Sequence, residues 1–310
     1  MRRKDNMTAA PLRTSIWFHL AQAARFIFWL LLIGLMLFQV FGQRDNTQKA
    51  RDSLLNQFQS ERKSRVIALI HRQESQSVFG VQVAAYINIE DSEAVLRAIR
   101  LTPDDQPIDL ILHTPGGLVL AAEQIARALA DHKGKVTVFV PHYAMSGGTL
   151  IAMAAAEIVM DRNAVLGPVD PQIGEMAASS ILQTVKIKKE QASDETLMMA
   201  DMAVKAQRQV ASFVADMLTK RMPRKDAEQL AVALSEGQVT HDFPITVQGA
   251  QKLGFPVSTK MPRVVYALMD LYPQANTRRP SVMYLPPPRI PGSSNGGIEP
   301  PKSVLPSTPM

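Results

Sequence analysis

Short apolar runs alternate with longer amphipathic segments through the middle of the chain. Two runs rich in β-branched residues, 108–112 and 135–140, have the length and composition of buried strands. The segments that follow them, 118–130 and 150–156, carry apolar residues at helical spacing. Repeated β-α units with short loops predict an α/β fold, in which helices cover a largely parallel sheet.

The same alternation extends to both sides of these units. Apolar residues at every second position predict a first strand over 77–89. A helix over 91–100 follows, with Asp91 or Ser92 as its N-cap. A further short strand is predicted over 157–160.

Residues 179–222 form a long stretch with few helix-breaking residues and an apolar stripe at helical spacing. The stripe either packs as an ordinary core face or forms a subunit interface, and its methionines would also suit an adaptable peptide-binding surface. Shorter helices are predicted over 226–235, 246–253 and 262–272, with a strand over 237–240.

A long apolar run near the N terminus predicts one transmembrane helix. Residues 26–42 carry no charge, and with 16–24 before them they supply the roughly twenty residues that a bilayer crossing requires. Large residues occupy the end of the run, where a signal peptide would have a small-residue cleavage site, so a retained single-pass anchor is expected. Basic residues lie on both sides of it, and the positive-inside rule leaves the side of the membrane open.

These patterns divide the chain into five parts. Leu54, Leu55 and Phe58 stand at helical spacing in a polar stretch, which predicts an amphipathic linker helix. The last part is rich in Pro, Ser and Gly and is expected to be disordered. The predicted parts are a basic segment (1–25), the transmembrane helix (26–42), the linker helix (43–72), the α/β domain (73–275) and the tail (276–310).

Composition excludes several kinds of chemistry. The formal net charge of +6 is modest for 310 residues and no basic stripe with interleaved aromatic residues occurs, so nucleic acid is not an expected partner. The absence of Cys excludes disulfides, thiolate catalysis and Cys-ligated zinc. No phosphate-binding loop ending in Gly-Lys-Ser or Gly-Lys-Thr occurs, so any ATP-driven unfolding of substrates would come from a partner.

A serine lies where the predicted strand over 135–140 gives way to the next helix. Ser146 has small neighbours, including Gly147, which would let a substrate backbone approach. The helix N-terminus offers free N–H groups and a positive dipole end, which favour developing negative charge. A nucleophilic serine needs these features, but serine is also a common helix N-cap, and this stretch alone leaves both interpretations open.

The preceding strand ends in a glycine pair. Gly116 and Gly117 allow the backbone to turn tightly and expose its N–H groups. About thirty residues separate the pair from Ser146, as expected for one β-α unit. Together the two motifs predict backbone donors beside a serine.

Four motifs occur in order along the chain: IDLILHTPGG, VTVFVPHYAMSGGT, NAVLGPVDPQIG and QVTHDFPIT. In them the chain resembles the serine dehydrogenase proteinase family, distant relatives of the Clp protease proteolytic subunit and of signal peptide peptidase A in the crotonase-like superfamily. The resemblance covers most of residues 50–260. It implies a crotonase-like, Clp-protease-like core of repeated β-β-α units, serine peptidase activity and a homo-oligomer.

The resemblance also implies roles for single residues. Ser146 would be the nucleophile, His241 the general base and Asp170 the carboxylate that orients the imidazole. A serine hydroxyl needs such a base, and the base needs a carboxylate to fix its tautomer. By themselves, an aspartate between prolines is ordinary turn chemistry and a lone histidine is more often structural.

The backbone N–H groups of Gly117 and Gly147, with Gly116 as a third candidate, would hold the oxyanion. Asp242 adjoins the histidine and is an alternative orienting acid. Lys186 and Lys188 are alternative bases, because a related membrane-protease group places a catalytic lysine at about this distance from the serine. A dyad lysine must be buried to be neutral, whereas this charge run has the composition of a solvated surface.

Two further histidines, His113 and His142, flank the motifs and are expected to shape the pocket. The sequence as a whole predicts a membrane-anchored serine peptidase that cuts peptides or proteins through an acyl-enzyme on Ser146, without metal or organic cofactor. A catalytically inactive membrane scaffold that binds peptides is the main alternative. An acyl-thioester enzyme of the crotonase type is a third, against which Ser146 itself argues.

Overall fold

The computed structural model describes residues 13–71, 77–78, 81–82 and 85–272. The predicted tail over 276–310 and the start of the basic segment lie outside the described residues. The chain divides into two units, Met1–Ser53 and Leu54–Met310.

The elements of the described residues follow in chain order. The helices are α1 (Arg13–Arg62), α2 (Ile89–Arg100), α3 (Val119–Asp131), α4 (Gly147–Met153), α5 (Ala178–Lys188), α6 (Asp194–Leu218), α7 (Arg224–Ser235), α8 (Val247–Lys252) and α9 (Arg263–Asp270). The strands are β1 (Arg65–Ile70), β2 (Ser77–Val78), β3 (Val81–Gln82), β4 (Ile108–His113), β5 (Val136–Val140), β6 (Tyr143–Ala144), β7 (Glu157–Met160), β8 (Val165–Leu166), β9 (Gln172–Ile173), β10 (Met176–Ala177), β11 (Ile245–Thr246) and β12 (Val257–Ser258).

The first unit contains most of α1. Its window Phe18–Leu35 has a mean hydropathy of 1.6 and none of it is buried. Among the described residues, this is the one helical segment long and apolar enough to cross a membrane. It overlaps the predicted span over 26–42 and begins earlier.

The second unit is built on a five-stranded sheet with the order β1-β4-β5-β7-β12, in which every neighbouring pair is parallel. The predicted α/β fold with a parallel sheet is therefore confirmed. Helices α2, α3, α4, α6, α7 and α8 contribute to the larger apolar cluster on one face. On the other face, the end of α1 and α9 pack against Ile111, Phe139 and Val159.

The predicted linker helix over 43–72 is wrong at its end, because the helix stops at Arg62 and residues Arg65–Ile70 form β1. Ile67 and Leu69 pack into the larger cluster, while Val66 packs on the opposite face. A strand covered on both faces is apolar at nearly every position, so its pattern resembles the continuation of a helix.

Other boundaries differ from the predicted ones for local reasons. Helix α2 begins after Asn88, whose side chain accepts from Asp91 N–H while the Asp91 carboxylate accepts from Asn88 N–H. This capping box replaces the predicted caps. The predicted strand over 77–89 falls partly outside the described residues, and its described part contains only the short pair β2 and β3. Residues 237–240, predicted as a strand, form a turn and bends instead.

Candidate active site

Ser146 stands between β6 and α4 in a backbone conformation that non-glycine residues seldom adopt. Its φ of 49° and ψ of −117° are of a kind that costs about 1–3 kcal/mol and persists where the surrounding structure holds it. The hydroxyl makes no capping hydrogen bond to the following helix. An ordinary N-cap has an extended backbone and a side chain bonded to the helix, so Ser146 does not act as one.

Gly116 lies so close to Ser146 that a side chain would not fit between them, and Gly117 lies similarly close to the backbone of Ile87. Gly116 has a φ of 109°, and a Cβ added to it would lie 2.8 Å from the Ser146 Cβ. Gly117 has a φ of 154°, and its Cβ would lie 2.3 Å from the carbonyl oxygen of Ile87. A side chain at position 116 would displace the loop that carries Ser146, and one at position 117 would displace the backbone of Ile87, which explains the need for glycine at both positions.

Two of the three predicted oxyanion donors, Gly117 and Gly147, lie close together. Among the described residues, the N–H groups of Gly117 and Gly147 have no hydrogen-bond acceptor. Gly117 N lies 3.6 Å from the position that a Gly147 Cβ would take. The third candidate is wrong as a donor, because Gly116 N–H already donates to Thr114 Oγ1 at 3.2 Å.

A cavity of about 490 Å³ contains most of the predicted site. Ser146, Asp170, His241, Gly117 and Gly147 all line it. Apolar side chains form much of the remaining wall: Leu118, Val119, Leu150 and Val169. A cleft that combines apolar walls with convergent polar groups is typical of a substrate site.

Asp170 and His241 form a hydrogen-bonded pair although they are 71 positions apart in the sequence. His241 Nδ1 donates to Asp170 Oδ1 at 2.7 Å, and Asp170 is only 2% exposed. This hydrogen bond raises the pKa of His241; the charges of Asp170 and Asp242 act in the same direction, while partial burial opposes them. Because Nδ1 is engaged, Nε2 is the nitrogen left for proton transfer.

Sequence reasoning missed Gln172, whose side chain hydrogen-bonds to Asp170. Its Nε2 donates to Asp170 Oδ2 at 2.8 Å and lies 3.3 Å from His241 Nδ1. Among the described residues, Ser146 Oγ has no hydrogen bond to Asp170 or His241. Catalytic hydrogen bonds are often long before a substrate binds, so this arrangement is compatible with a triad.

The alternative bases lie elsewhere. Lys186 lines a different cavity, beside Ser179 and Gln238, and Lys188 is exposed near the end of α5. The structure therefore does not bring either lysine together with Ser146. Asp242 is exposed, and its influence on the histidine is through charge alone.

The expectation that His113 and His142 shape the pocket is wrong. Their rings stack at a centroid distance of 5.8 Å, and both contact Tyr143. Neither lines the cavity that contains Ser146. Among the described residues, no group of three or more His, Asp or Glu side chains could hold a metal ion.

Comparisons with known proteins identify the family of the chain. A family model described as ClpP-like SDH-type serine proteinase matches residues 18–297. The uncharacterized protein MJ1495 of Methanocaldococcus jannaschii is 50% identical over 261 residues, which is 84% of this chain and 89% of the relative. The uncharacterized protein MJ0137 of the same organism is 51% identical over 261 residues, 84% of this chain and 91% of the relative.

Among solved structures, ClpP1 from Listeria monocytogenes matches with a TM-score of 0.41 and 14% identity, covering 67% of this chain and 98% of that chain. A mutant of the 1510-N membrane-bound stomatin-specific protease matches with a TM-score of 0.40 and 18% identity, covering 59% of this chain and 79% of that chain. These values are low, so the assignment to a family rests on the sequence matches.

Proposed function

Because the chain belongs to the family of ClpP-like SDH-type serine proteinases, we propose that it hydrolyses peptide bonds through an acyl-enzyme on Ser146. The observation that carries this proposal is the position of the strained serine in one cavity with the Asp170–His241 pair. Strain of this kind is typical of functional sites, where the surrounding structure holds it.

The proposed reaction begins with proton transfer from the Ser146 hydroxyl to His241 Nε2 as the oxygen attacks the scissile carbonyl. The backbone N–H groups of Gly117 and Gly147 hold the negative oxygen of the tetrahedral intermediate. Asp170 keeps the imidazole in the required tautomer and stabilises its protonated form. His241 then gives the proton to the leaving amine. Water hydrolyses the acyl-enzyme in the same way: His241 takes a proton from the attacking water and returns it to the Ser146 oxygen as the acyl product leaves.

A Ser-Asp-His triad is favoured over a Ser-Lys dyad. The buried Asp170 already orients His241, which is 36% exposed and can reach a substrate in the cavity. Lys186 and Lys188 are solvent-exposed, and neither lines the cavity that contains Ser146. Gln172 is assigned a supporting role, because its amide fixes the second oxygen of Asp170.

The peptidase is proposed to be anchored through α1 as a single-pass membrane protein and to act as a homo-oligomer. The exposed apolar window Phe18–Leu35 supports the anchor. Exposed apolar side chains on α6 support an interface between copies: Leu197, Met198 and Met202. The substrates would be peptides or proteins, and no nucleic acid, metal or organic cofactor is part of the proposal.

The test is labelling of the purified full chain with a fluorophosphonate, which reacts with activated serines, followed by intact-mass measurement. We expect one adduct on the wild type and none on Ser146→Ala or His241→Ala. Asp170→Asn should react far more slowly, whereas Lys188→Ala and Lys186→Ala should react at the wild-type rate. Loss of labelling in a lysine variant alone would favour the dyad.

If the folded, oligomeric wild type forms no adduct, the peptidase proposal is wrong, and the inactive peptide-binding scaffold becomes the better interpretation. Retention of labelling by Ser146→Ala would also contradict the proposal, because the reactive serine would then lie elsewhere.

A further inference from the structure

A second Asp–His pair lies behind the glycine loop. His71 follows β1 and is 9% exposed. Its Nε2 lies 3.2 Å from Asp91 Oδ2, and its Nδ1 lies 2.9 Å from the hydroxyl of Thr114. Thr114 itself is completely buried. The pair is separate from Asp170 and His241, and the proposed mechanism does not use it.

The hydrogens of this network can be assigned from what each group is able to donate. The Asp91 carboxylate accepts only, so His71 carries its proton on Nε2 and has a lone pair on Nδ1. The Thr114 hydroxyl then donates to Nδ1, which leaves Thr114 Oγ1 to accept the N–H of Gly116 at 3.2 Å. Burial lowers the pKa of His71 against the opposing effect of Asp91, in keeping with a neutral ring.

The alternative orientation of the Thr114 hydroxyl is poorer. Its other acceptor, the carbonyl oxygen of Gly116, is 3.4 Å away. That distance is at the long end for an O–H···O hydrogen bond, whereas the 2.9 Å contact with His71 is ordinary. His71 therefore determines the direction of the Thr114 O–H bond. A lone pair of Thr114 Oγ1 is then left to accept Gly116 N–H.

Thr114 also connects the glycine loop to the segment that carries the serine. Its N–H donates to the Tyr143 carbonyl oxygen at 3.2 Å, and its own carbonyl oxygen accepts from Met145 N–H at 3.0 Å. The next residue is Ser146, which the Gly116 backbone approaches so closely that a Cβ would clash with it. Thr114 thus fixes the position of the glycine loop relative to the segment that carries Ser146.

We propose that His71, supported by Asp91, is a positioning residue for the oxyanion donors. It fixes the Thr114 hydroxyl, the hydroxyl holds the Gly116–Gly117 turn, and the turn directs Gly117 N–H into the cavity. This inference rests on the proposed peptidase function, since it assigns a purpose to the geometry of that same site. A catalytic role for His71 is not implied, because the imidazole does not line the cavity.

Two matched pairs of variants separate the hydroxyl network from simple packing. Thr114→Val keeps a methyl group against Gly148 but loses the hydroxyl, whereas Thr114→Ser loses the methyl and keeps the hydroxyl. His71→Leu removes the acceptor for that hydroxyl, whereas the amide oxygen of His71→Asn supplies an acceptor near the position of Nδ1. All four are measured in the full chain.

The measurement is the fluorophosphonate reaction, resolved into the affinity of the probe and the rate constant of bond formation. We expect Thr114→Val and His71→Leu to lower the rate constant about 10²-fold, the usual cost of misplacing a reacting group by about 1 Å. Probe affinity should be unchanged, and the Ser and Asn variants should retain most of the wild-type rate constant. The unfolding temperature of each variant is measured alongside.

Wild-type rate constants in Thr114→Val and His71→Leu would overturn the positioning role while leaving the peptidase function intact. An equal loss in all four variants would also overturn it, since packing alone would then account for the effect. If one pair fails to fold, the other pair decides. Failure of the wild type to react would instead refute the peptidase function, and the positioning role with it.

Discussion

At the scale of single residues, Ser146 and the glycines beside it depend on one another. The serine holds a positive φ without a cap, and Gly116 leaves room for the loop that carries it. The donors Gly117 N–H and Gly147 N–H remain unused by the described residues. Free donors beside a strained residue are the arrangement that stabilises negative charge in a transition state.

The pH dependence of labelling should report the raised pKa of His241. Only the neutral imidazole can accept the serine proton, so the rate should rise with pH through a midpoint above 6.5, the ordinary value for histidine. In Asp170→Asn the hydrogen-bonded charge that raises the pKa is lost, so the midpoint should move to lower pH. The limiting rate should fall by up to about 10⁴-fold because the tautomer is no longer fixed.

The control for this experiment is Asp242→Asn, which removes an exposed charge that contributes least to the shift. Its midpoint should fall only slightly and its limiting rate should not change. A wild-type midpoint at or below the ordinary value, or equal effects of the two Asn variants, would exclude Asp170 as the orienting acid.

Gly116→Ala should damage both stability and reactivity. The new Cβ would meet the Ser146 Cβ at 2.8 Å, and its φ of 109° disfavours any side chain. We expect a loss of about 1–3 kcal/mol in the free energy of unfolding and little remaining fluorophosphonate labelling. Denaturant unfolding and labelling rates measure the two effects.

Gly254→Ala is the matched control for Gly116→Ala. Gly254 also has a positive φ, of 82°, but its Cβ would meet only the end of the Met222 side chain, at 3.4 Å. It should lose stability and keep the wild-type labelling rate. Equal labelling in the two alanine variants would show that the close approach of Gly116 to the serine has no functional purpose.

Single residues of the site were predictable to different degrees. Ser146 stands in a recognisable turn, and the family resemblance supplied Asp170 and His241, which no local pattern distinguishes from a turn aspartate and a structural histidine. Gln172 and His71 were missed because their roles depend on contacts with residues distant in sequence. Only a three-dimensional arrangement shows that a glutamine holds a carboxylate or that a histidine holds a threonine.

At the scale of elements, the end of α1 belongs to the core of the second unit. Phe58 is 1% exposed and packs edge-to-face on Phe139 of β5, with ring centroids 5.3 Å apart. Arg62 then donates to both oxygens of the buried Asp109, at 2.8 and 3.1 Å, and Lys63 turns the chain with a φ of 52°. The helix therefore leads directly into β1.

Phe58→Ala should be among the most destabilising changes in this part of the chain. Removal of a buried aromatic ring usually costs about 3–5 kcal/mol in the free energy of unfolding. Gln57→Ala, at an exposed neighbouring position, should cost less than about 0.5 kcal/mol. Chemical denaturation of the two variants provides the comparison. A small effect of Phe58→Ala would mean that the end of α1 is only a linker.

Three strands of the central sheet follow their sequence patterns closely. Strands β4, β5 and β7 were predicted within one residue of their ends. Strand β1 was not, because it comes directly after a helix and both of its faces are buried. The pattern of apolar residues alone does not distinguish a buried strand from a buried helical turn.

At the scale of the whole molecule, the described chain has two parts with different surfaces. The first unit exposes a window of 18 residues with a mean hydropathy of 1.6. The second unit buries many of its apolar residues in the clusters around the sheet. Such a division is expected of a peptidase domain with a membrane anchor. The sequence pattern also predicts an anchor in the first unit.

Removal of the first unit should release the protein from membranes. The full chain should remain in the membrane pellet after an alkaline carbonate wash, whereas a chain starting at residue 54 should be found in the supernatant. A chain starting at residue 73, the predicted domain boundary, lacks Phe58 and all of β1 and should not fold. Membrane fractionation and circular dichroism measure these outcomes.

Retention of the chain starting at residue 54 in the washed pellet would contradict the assignment of the anchor to the first unit. Cooperative unfolding of the chain starting at residue 73 would contradict the place given to β1 in the core.

The separation of Asp170 from His241 along the sequence has a consequence for biosynthesis. The ribosome completes the serine, the glycine loop and the aspartate before it reaches the histidine, because α5, α6 and α7 lie between Asp170 and His241. At about 5–20 residues per second, the nascent chain carries Ser146 for several seconds without its base. Translation order alone would thus delay the proposed peptidase activity of a newly made chain until most of its domain has been synthesised.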